Sequence, residues 1–417
     1  MNKNIKLAVA GAVLALSATA NAGIIIPAGE WTIDINGNVN AFLNQTNLDN
    51  NRATTGSQLD QALVGGKSAT KSIQTGLLPA WLGFTGKTRQ NDLDVEFTIS
   101  MQPGVSSNDI TGDGATAGSG FASGNGGTNA TTFLNRQTYL SFGDKSWGSI
   151  KLGKDLGIFA SDAILNDMTL LGVGSGGGLN SQINSTNGGI GTGYTYAAWK
   201  AQAAYTTPNF GGFQATVAIT NPNQIGVSGA SSASQGRYGV EAKASYAFTA
   251  DAITGKVWVS GASYDASSSS MGAGLTGVNS INIWGADVGA NVNLGNVGLT
   301  GYVYGGEGLG ATFFGTDGLT ATGAKRDSNG GYLQATYVLP VKTKIGVAYG
   351  ISSIDRAAGE TAANTLVKDQ ERYTVGAYHP LTKHLNLVAE YSNIKLESQL
   401  TNKNEYSNVS LGAIMFF

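Results

Sequence analysis

The strongest constraint on how this chain can fold is an alternation of apolar and polar residues with a period of two. It is clear in residues 31–44 (WTIDINGNVNAFLN), 92–100 (DLDVEFTIS) and 237–248 (RYGVEAKASYAF), with Phe42 as an exception in the first segment. Because successive side chains of a β-strand point to opposite faces, each segment predicts a strand with one apolar and one polar face.

The same alternation along the whole chain predicts sixteen strands. Their approximate spans are 30–45, 79–89, 92–103, 132–143, 147–155, 194–207, 212–221, 236–249, 255–264, 280–294, 297–306, 330–339, 343–352, 370–379, 384–395 and 406–417. Short connections alternate with long ones that are rich in Gly, Ser, Thr, Asn and Asp. The long connections are 46–78, 104–131, 156–193, 222–235, 265–279, 307–329, 353–369 and 396–405.

An even number of antiparallel strands, with tight turns at one end and long polar loops at the other, is typical of a transmembrane β-barrel. Backbone groups inside a bilayer need hydrogen-bond partners, so such a sheet must close on itself. Closure predicts that the first strand, 30–45, pairs with the last, 406–417. The apolar face of the last strand would then contact lipid or a neighbouring subunit, with Phe417 at the membrane interface, where aromatic residues gather.

A large secreted β-sandwich or β-solenoid would also show the alternation. Charged residues make up 12% of this chain, whereas about 25% is usual in soluble globular proteins. The sparse charge favours the barrel. Since the chain contains neither a domain linker nor a fixed-length repeat, we expect residues 23–417 to form a single barrel domain.

The first 22 residues have the three-part layout of a secretory signal peptide. Lys3 and Lys6 precede an apolar run over residues 7–20, which closes on Ala20-Asn21-Ala22. The run is too short for a membrane-spanning helix. We therefore expect residues 1–22 to be removed after Ala22 during export from a bacterial cytoplasm.

The composition limits the chemistry that is available to the chain. It contains 61 glycines and no cysteine, which excludes disulfides, thiolate catalysis and Cys-based metal sites. A formal net charge of −2 argues against nucleic-acid binding. His379 and His384 have no nearby nucleophile or set of metal ligands in the sequence, so we expect neither enzymatic activity nor a cofactor. Residues 109–114 resemble the start of a calcium loop, but Gly120 stands where the closing acid belongs.

Three stretches resemble the general porins of Gram-negative outer membranes. The first is NRQTYLSFGDKSWGSIKLGKDLG, residues 135–157, in which Lys154 follows Gly153 where those porins usually have Arg. The second is YTVGAYHPLTKHLNLVAEY, residues 373–391, whose turn departs from the family pattern at Pro380 and His384. The third is the C-terminal strand that ends in Phe417.

The resemblance implies a sixteen-stranded homotrimeric barrel with short periplasmic turns and long extracellular loops. It also implies that the third loop folds into the pore and that small hydrophilic solutes and ions cross by passive diffusion. The implied location is the outer membrane of a Gram-negative bacterium. The implied partners are outer-membrane lipid, lipopolysaccharide and the barrel assembly machinery, for which Phe417 would act as the C-terminal assembly signal.

The alternation and the resemblance together select candidate pore residues, because charged side chains at the narrowest section set ion selectivity. The connection 156–193, with the residue at its entrance, is expected to supply the acids of the constriction, Asp155, Asp162 and Asp167. The opposing wall bases are expected to be Lys87, Lys154, Lys200, Arg237 and Lys243. Further lumen residues are expected to be Arg89, Asp94, Glu96 and Glu241.

Two basic residues conflict with the parity of their strands. Lys154 shares parity with the outward residues Ile150 and Leu152, so a pore position requires a β-bulge at Gly153. Arg136 shares parity with Leu140, which is consistent with a place in a subunit interface.

The leading functional hypothesis is a general diffusion porin. A loop with acids and without Lys or Arg would favour cations. The alternatives are a solute-selective porin for an anion, a sugar or a small acid, and a barrel that acts mainly as an adhesin or structural surface protein. A barrel enzyme is disfavoured because no catalytic set can be identified.

Overall fold

The structure of the protein is a computed structural model. It describes residues 23–48, 56–57, 59–60, 68–103, 134–176, 185–221, 237–266, 280–312, 314–315 and 317–417. The predicted signal peptide and the calcium-like stretch 109–114 lie outside the described residues. No helix in the described part is long and apolar enough to cross a membrane.

Eighteen strands occur in the described residues, together with one short helix, α1 (Ser161–Asn166), and one 3₁₀ turn (Met168–Leu171). The strands are β1 (Ile24–Ala28), β2 (Trp31–Leu48), β3 (Ala69–Gln74), β4 (Trp81–Gln90), β5 (Leu93–Gln102), β6 (Leu134–Asp144), β7 (Gly148–Leu156), β8 (Trp199–Thr206), β9 (Phe213–Thr220), β10 (Gly239–Ala250), β11 (Ile253–Ala266), β12 (Ile281–Leu294), β13 (Val297–Glu307), β14 (Asp327–Val338), β15 (Lys344–Ile354), β16 (Val367–Pro380), β17 (Leu385–Ser398) and β18 (Lys403–Phe416).

Sixteen of these strands form one closed antiparallel barrel. The barrel closes through β18 and β2, whose register runs from Tyr406 opposite Leu48 to Phe416 opposite Asn38. This confirms the predicted strand number and the predicted pairing of the first and last strands. Closure leaves each barrel strand with two neighbours, which satisfies the backbone groups that a bilayer would otherwise leave unpaired.

Two short strands add to the barrel and were not predicted. Strand β1 pairs with the start of β2, with Ile24 opposite Ile35, and β3 pairs with its later half, with Leu43 opposite Ile73. The β1 sequence IIIPA shows no alternation, and β3 has only six residues. Both lie beside the long strand β2, which β4 and β18 cover only in part.

The turns at one end of the barrel are tight, and several need a left-handed backbone. Asn91 and Asp92 form the whole β4–β5 connection with φ of 48° and 62°. Asp251 and Gly295 adopt φ of 50° and 56° in the next two-residue turns. Asn, Asp and Gly tolerate this conformation best, which explains why two-residue hairpins form at these positions. We call this the short-turn end and the opposite one the long-loop end.

The two faces of the wall differ as the alternation predicts. On β2, Leu43 is 60% exposed on the outer face, while Asn44 is 3% exposed on the inner face. The outer face continues around the barrel through exposed residues such as Val259, Leu299 and Leu333. An apolar band outside and a polar wall inside are the requirements of a barrel that spans lipid.

Exposed aromatic residues border this band. At the short-turn end Phe210 and Phe213 project outward, and Tyr246 stacks on Phe248 with ring centroids 6.2 Å apart. Towards the long-loop end Tyr349 faces Tyr373 across β15 and β16, and both are exposed. These positions match the interfacial girdles of membrane barrels.

Phe417 extends the closing strand by one residue. Its backbone N–H donates to the Gly37 carbonyl at 3.0 Å, and its carbonyl accepts from the Gly37 N–H at 2.8 Å. A Cβ on Gly37 would lie 2.2 Å from the Trp81 carbonyl oxygen and 2.9 Å from the Phe417 ring, so the glycine leaves room for both. Strand β1 continues along the same edge of β2 directly beyond this point.

Candidate functional site

The described parts of the third long connection, residues 157–176 and 185–198, contact the inner wall of the barrel, and we call them the inner loop. Its first amides bind two wall carboxylates. Glu241 accepts hydrogen bonds from the N–H groups of Ile158 (2.5 Å) and Phe159 (3.1 Å). Asp287 accepts one from Ala160 at 3.1 Å. Carboxylates on β10 and β12 therefore fix the start of the inner loop against the wall.

Wall side chains also fix the middle of the inner loop. The Met168 N–H donates to the Gln334 side chain at 2.6 Å. The N–H groups of Val173 and Gly174 both donate to Glu390 Oε2 at 2.8 Å. Contacts from β10, β12, β14 and β17 thus hold the inner loop along one side of the barrel interior.

Asp162 of helix α1 lies between two wall lysines. Lys243 Nζ is 2.8 Å from Asp162 Oδ2, and Lys256 pairs with Oδ1 of the same carboxylate. Burial alone would raise the pKa of Asp162, but the two ammonium charges outweigh it and hold the pKa below its usual value. The acid that the sequence assigned to the constriction therefore meets one of its predicted bases, Lys243, and a second base that was not predicted.

Asp167 is buried and does not face water. It accepts hydrogen bonds from the Thr169 N–H (2.9 Å) and the Tyr194 hydroxyl (2.8 Å), and Arg372 Nη2 lies 3.6 Å away. Burial and the nearby Asp167 charge raise the pKa of Tyr194 well above its usual value, so the phenol remains a donor. Asp167 thus organises the inner loop.

Lys200 is also buried. Its Nζ lies 2.6 Å from Glu241 Oε1, and the Tyr264 hydroxyl donates to the same oxygen at 2.6 Å. Both charged side chains are almost fully enclosed. Lys200 and Glu241 therefore neutralise each other behind the inner loop, which contradicts the prediction that they line the water-filled pore.

An aromatic cluster fills the space between the inner loop and the wall of β10–β14. Phe159 and Tyr264 both pack on Phe314, with ring centroids 5.8 and 4.9 Å apart. Tyr194 packs on Tyr332 at 5.8 Å. This side of the interior is a packed core, in which the Lys243 side chain stays 20% exposed.

The wall formed by β4–β7 carries exposed charges along its inner face. Lys87 lies 3.3 Å from Glu96, and the Tyr139 hydroxyl donates to Glu96 at 3.0 Å. Lys151 pairs with Asp155 and lies 4.7 Å from the centre of the Tyr139 ring. These residues form a chain of polar contacts on the side opposite the packed core.

Arg89 lies lower on the same wall, next to the short-turn end. Its guanidinium contacts Asp94 at 2.8 Å and Asp144 at 3.0 Å. The predicted lumen residues Arg89 and Asp94 are therefore together, close to the mouth at that end and away from the inner loop.

Arg136 lies at the long-loop end of the β4–β7 wall, where a β-bulge changes the strand parity. Gln137 pairs with Ser100 and Asn135 pairs with Met101, which leaves Arg136 without an opposing residue. The guanidinium stacks over the Trp81 ring (4.9 Å) and the Trp199 ring (4.2 Å).

The side chains around Arg136 show that it turns inward. Its Nη1 donates to Gln137 Oε1 at 2.9 Å, and Gln137 donates to Asp155 on the inner wall. The interpretation of Arg136 as a subunit-interface residue is therefore wrong, because the bulge reverses the direction that strand parity implies.

Two predicted pore bases lie elsewhere. The ladder stays in register through Gly153, so no bulge forms there, and Lys154 shares the outer face with Leu152 and donates to the Asn135 carbonyl at 2.8 Å. Arg237 precedes β10 at the long-loop end, is half exposed and pairs with Asp265. Lys154 faces outward because the side chains of β7 continue to alternate through Gly153. Arg237 lies at the rim of the barrel because it precedes β10.

Sequence reasoning missed several residues that organise the site. They are Lys256, Asp287, Arg372 and Glu390. Strand parity could have identified all four, because each shares its parity with buried neighbours such as Trp258, Thr374 and Ser392. The missing information was which inward charges the inner loop covers.

Comparisons with known proteins agree with this architecture. A family model described as Gram-negative porin matches residues 7–399. No curated protein sequence matches. The structure is similar to the outer membrane channel DcaP of Acinetobacter baumannii, with a TM-score of 0.65 and 15% identity over 94% of this chain and 99% of that one.

Two other solved structures are similar over nearly the whole chain. OmpF of Salmonella typhi, in complex with daunomycin, has a TM-score of 0.57 and 15% identity over 94% of this chain and 100% of that one. The trimer form of OmpT of Vibrio cholerae has a TM-score of 0.53 and 12% identity over 93% and 99%. At these identities the likenesses show the fold.

Proposed function

The chain belongs to the Gram-negative porin family, and from this premise we propose that its pore is a general diffusion channel that favours anions over cations. As a member of that family it is an outer-membrane channel through which solutes diffuse passively. The family consists of channels and not enzymes, and we extend that absence of catalysis to this chain. The selectivity follows from which charges remain exposed.

The observation that supports anion preference is the unequal burial of the inner charges. The basic side chains of Lys87, Lys151 and Lys243 are 59%, 35% and 20% exposed. The paired carboxylates of Glu96, Asp155 and Asp162 are less exposed, at 28%, 13% and 3%, and Asp167 is 1% exposed. Water in the pore therefore meets ammonium groups more than carboxylates, which reverses the cation preference expected from the loop sequence.

The charges in direct contact with Asp162 support the same direction. Asp162 carries one negative charge against the two positive charges of Lys243 and Lys256. Arg136 adds a positive charge whose closest polar contact is the neutral Gln137. Rings of basic side chains in a pore attract anions and repel cations over distances of about 8 Å at physiological salt.

Passage of hydrophilic solutes is supported by the polar chain on the β4–β7 wall. Lys87, Glu96, Tyr139, Lys151 and Asp155 present both donors and acceptors to the lumen. A solute can exchange hydrogen bonds with these groups as it moves, whereas an apolar solute would have to displace bound water without replacing it. This mixture favours a general pore over a solute-selective one.

We also propose a homotrimer, which the trimer form of the similar OmpT supports. Native mass measurement in mild detergent tests the assembly, and a monomer under all conditions would contradict it. Contacts with lipid, lipopolysaccharide and the barrel assembly machinery remain predictions.

The channel is tested by planar-bilayer recording on the purified, refolded protein. In a KCl gradient the sign of the reversal potential should show that chloride is more permeant than potassium. A reversal potential of the opposite sign would refute the anion preference, and no conductance at all would refute the channel and favour a structural or adhesive barrel. Competition by sugars and small acids separates the general from the solute-selective pore.

A further inference from the structure

The chain leaves the barrel wall between β3 and β4. The end of β3 lies opposite Phe42 of β2, and the start of β4 lies opposite Asn38 of the same strand. On β2, residues 39–41 separate these two positions, whereas residues 75–80 connect β3 to β4. A continuous ladder has room for only half of those connecting residues, so the chain must leave the wall there. We call residues 75–80 the wall excursion.

The wall excursion lies inside the barrel, against the inner loop. The Leu77 N–H donates to the Gly172 carbonyl at 2.8 Å, and the next N–H along the chain donates to the Leu170 carbonyl at 3.3 Å. On the returning part of the inner loop, the Thr186 N–H donates to the Gly76 carbonyl at 3.1 Å. Both the outgoing and the returning part of the inner loop are therefore bonded to the wall excursion.

Two asparagines on the inner face of β2 hold the wall excursion in place. Asn38 Nδ2 donates to the Pro79 carbonyl at 3.0 Å. Asn40 Nδ2 donates to the Leu78 carbonyl at 2.9 Å, and Asn40 Oδ1 accepts from the Gly76 N–H at 2.8 Å. Both asparagine side chains are buried. They therefore supply partners for backbone groups that have left the ladder and would otherwise be buried without one.

The aromatic residue that interrupts the polar face of β2 packs against the same segment. Phe42 points inward and is buried. A Cβ on Gly76 would lie 2.7 Å from the Phe42 ring and 2.2 Å from the Gly172 carbonyl oxygen, so only glycine fits between this ring and the inner loop. A Cβ on Gly188 would lie 2.1 Å from Leu77 Cδ2, so the Leu77 side chain fills the space beside that glycine.

The wall excursion lies at one border of the open lumen. The inner loop follows β7 directly and is bonded in turn to β10, β12, β14 and β17 before it reaches the wall excursion next to β4. The exposed polar chain lies on the remaining arc of the wall, β4–β7. A shift of the inner loop at this border would change the width of the channel, and pore width limits the size of the solutes that pass.

We propose that the wall excursion is a second part of the pore constriction, which positions the inner loop and thereby sets the size limit for solutes. Leu77 is its main positioning residue, because its N–H and its side chain both contact the inner loop. The inference rests on the proposed diffusion channel and is independent of the proposed anion preference.

Deletion of residues 77–79 tests the proposal. The shortened connection would match residues 39–41 of β2 one to one, so β3 and β4 could join as one strand with their present registers. The permeability to a neutral trisaccharide relative to a neutral monosaccharide should rise severalfold, because the inner loop loses its attachment at the border of the lumen. The measurement is the swelling of liposomes that contain the purified, refolded protein. Migration as a compact band before heating shows that the barrel has folded.

Two point variants give a matched pair of unchanged chain length. Leu77→Ala removes the side chain beside Gly188 and should raise the relative permeability to the trisaccharide, whereas Ile73→Ala, on the outer face, should leave it unchanged. This pair decides the outcome if the deletion variant does not fold. An unchanged size limit in Leu77→Ala or in the folded deletion variant, or an equal rise in Ile73→Ala, would overturn the proposal. Wild-type liposomes that swell in neither sugar would instead refute the diffusion channel.

Discussion

Lys243 Nζ lies 2.8 Å from Asp162 Oδ2, so a wall base and a loop acid share one buried contact. The contact joins β10 to helix α1 and leaves the lysine as the more exposed partner. In this arrangement the loop acids hold the inner loop and the wall bases face the pore.

Replacing Asp162 should increase anion preference. Asp162→Asn removes the negative charge between Lys243 and Lys256, so both ammonium groups act on the pore without compensation. The loss of the hydrogen bond from Lys256 and of the ion pair with Lys243 should also destabilise the inner loop by on the order of 2 kcal/mol. The measurement is the reversal potential in a KCl gradient. Asp167→Asn is the matched control and should leave that potential unchanged, because its basic neighbour Arg372 is enclosed, unlike Lys243.

Removing wall bases should shift selectivity the other way. Lys87→Gln and Lys151→Gln each delete an exposed positive charge from the lumen and should move the reversal potential towards that of a cation-preferring pore. Lys154→Gln is the control, since this lysine lies on the outer face. An equal shift in all three variants would show that the inner and outer assignments are wrong.

The Glu390 carboxylate should control the mobility of the inner loop. Its hydrogen bonds come from neutral groups: the Val173 and Gly174 amides and the Tyr378 hydroxyl. Glu390→Ala removes all three and should increase current noise and protease cleavage near residue 173, whereas Glu390→Gln should do so far less. Glu405→Ala, on the outer face of the adjacent strand, serves as the control. Unchanged noise in Glu390→Ala would contradict the anchoring role.

One loop contact should weaken in acid. The side chain of Arg326 binds Glu360, at 2.5 Å from Nη2 to Oε1, and this contact together with the Ala357 N–H holds the pKa of Glu360 below its usual value. A carboxylate with a lowered folded-state pKa stabilises the fold above its unfolded pKa, and this contribution is lost as pH falls through the folded value. Protease cleavage within residues 355–366 should therefore increase below about pH 4. The Glu360→Gln variant should be cleaved to the same extent above and below that pH.

The terminal ring should matter for assembly. Phe417→Ala keeps the backbone pairing with Gly37 but empties the space that this glycine leaves for the ring. We expect less folded protein in the outer membrane, measured as the fraction that migrates as a compact band before heating. Phe210→Ala, an exposed aromatic residue at the same end, is the control. A similar loss of folded protein in both variants would contradict a specific role of the Phe417 ring and would indicate a general effect of interfacial aromatic residues.

Strand parity predicted the face of most charged residues but not which of them the inner loop covers. Parity placed Lys87, Glu96 and Lys243 on the inner wall, and the structure agrees. Parity also placed Lys200 and Glu241 there, yet both are enclosed by the inner loop. Arg136 shows the opposite failure, because one extra residue in β6 turned it inward.

The sequence by itself determined the sixteen barrel strands, the closing pair and the face of nearly every side chain. It could do so because strand alternation is a local property that each residue shows with its two neighbours. The tertiary structure alone decided which inward charges meet water. That depends on contacts between the inner loop and the wall, such as those of Asp162 with Lys256 and of Val173 with Glu390. The two residues of the first pair are 94 positions apart in the sequence, and those of the second pair are 217 positions apart. Such long-range contacts produce no periodic pattern in the sequence. The free energy of burying a charge depends on the groups that surround it in the folded protein.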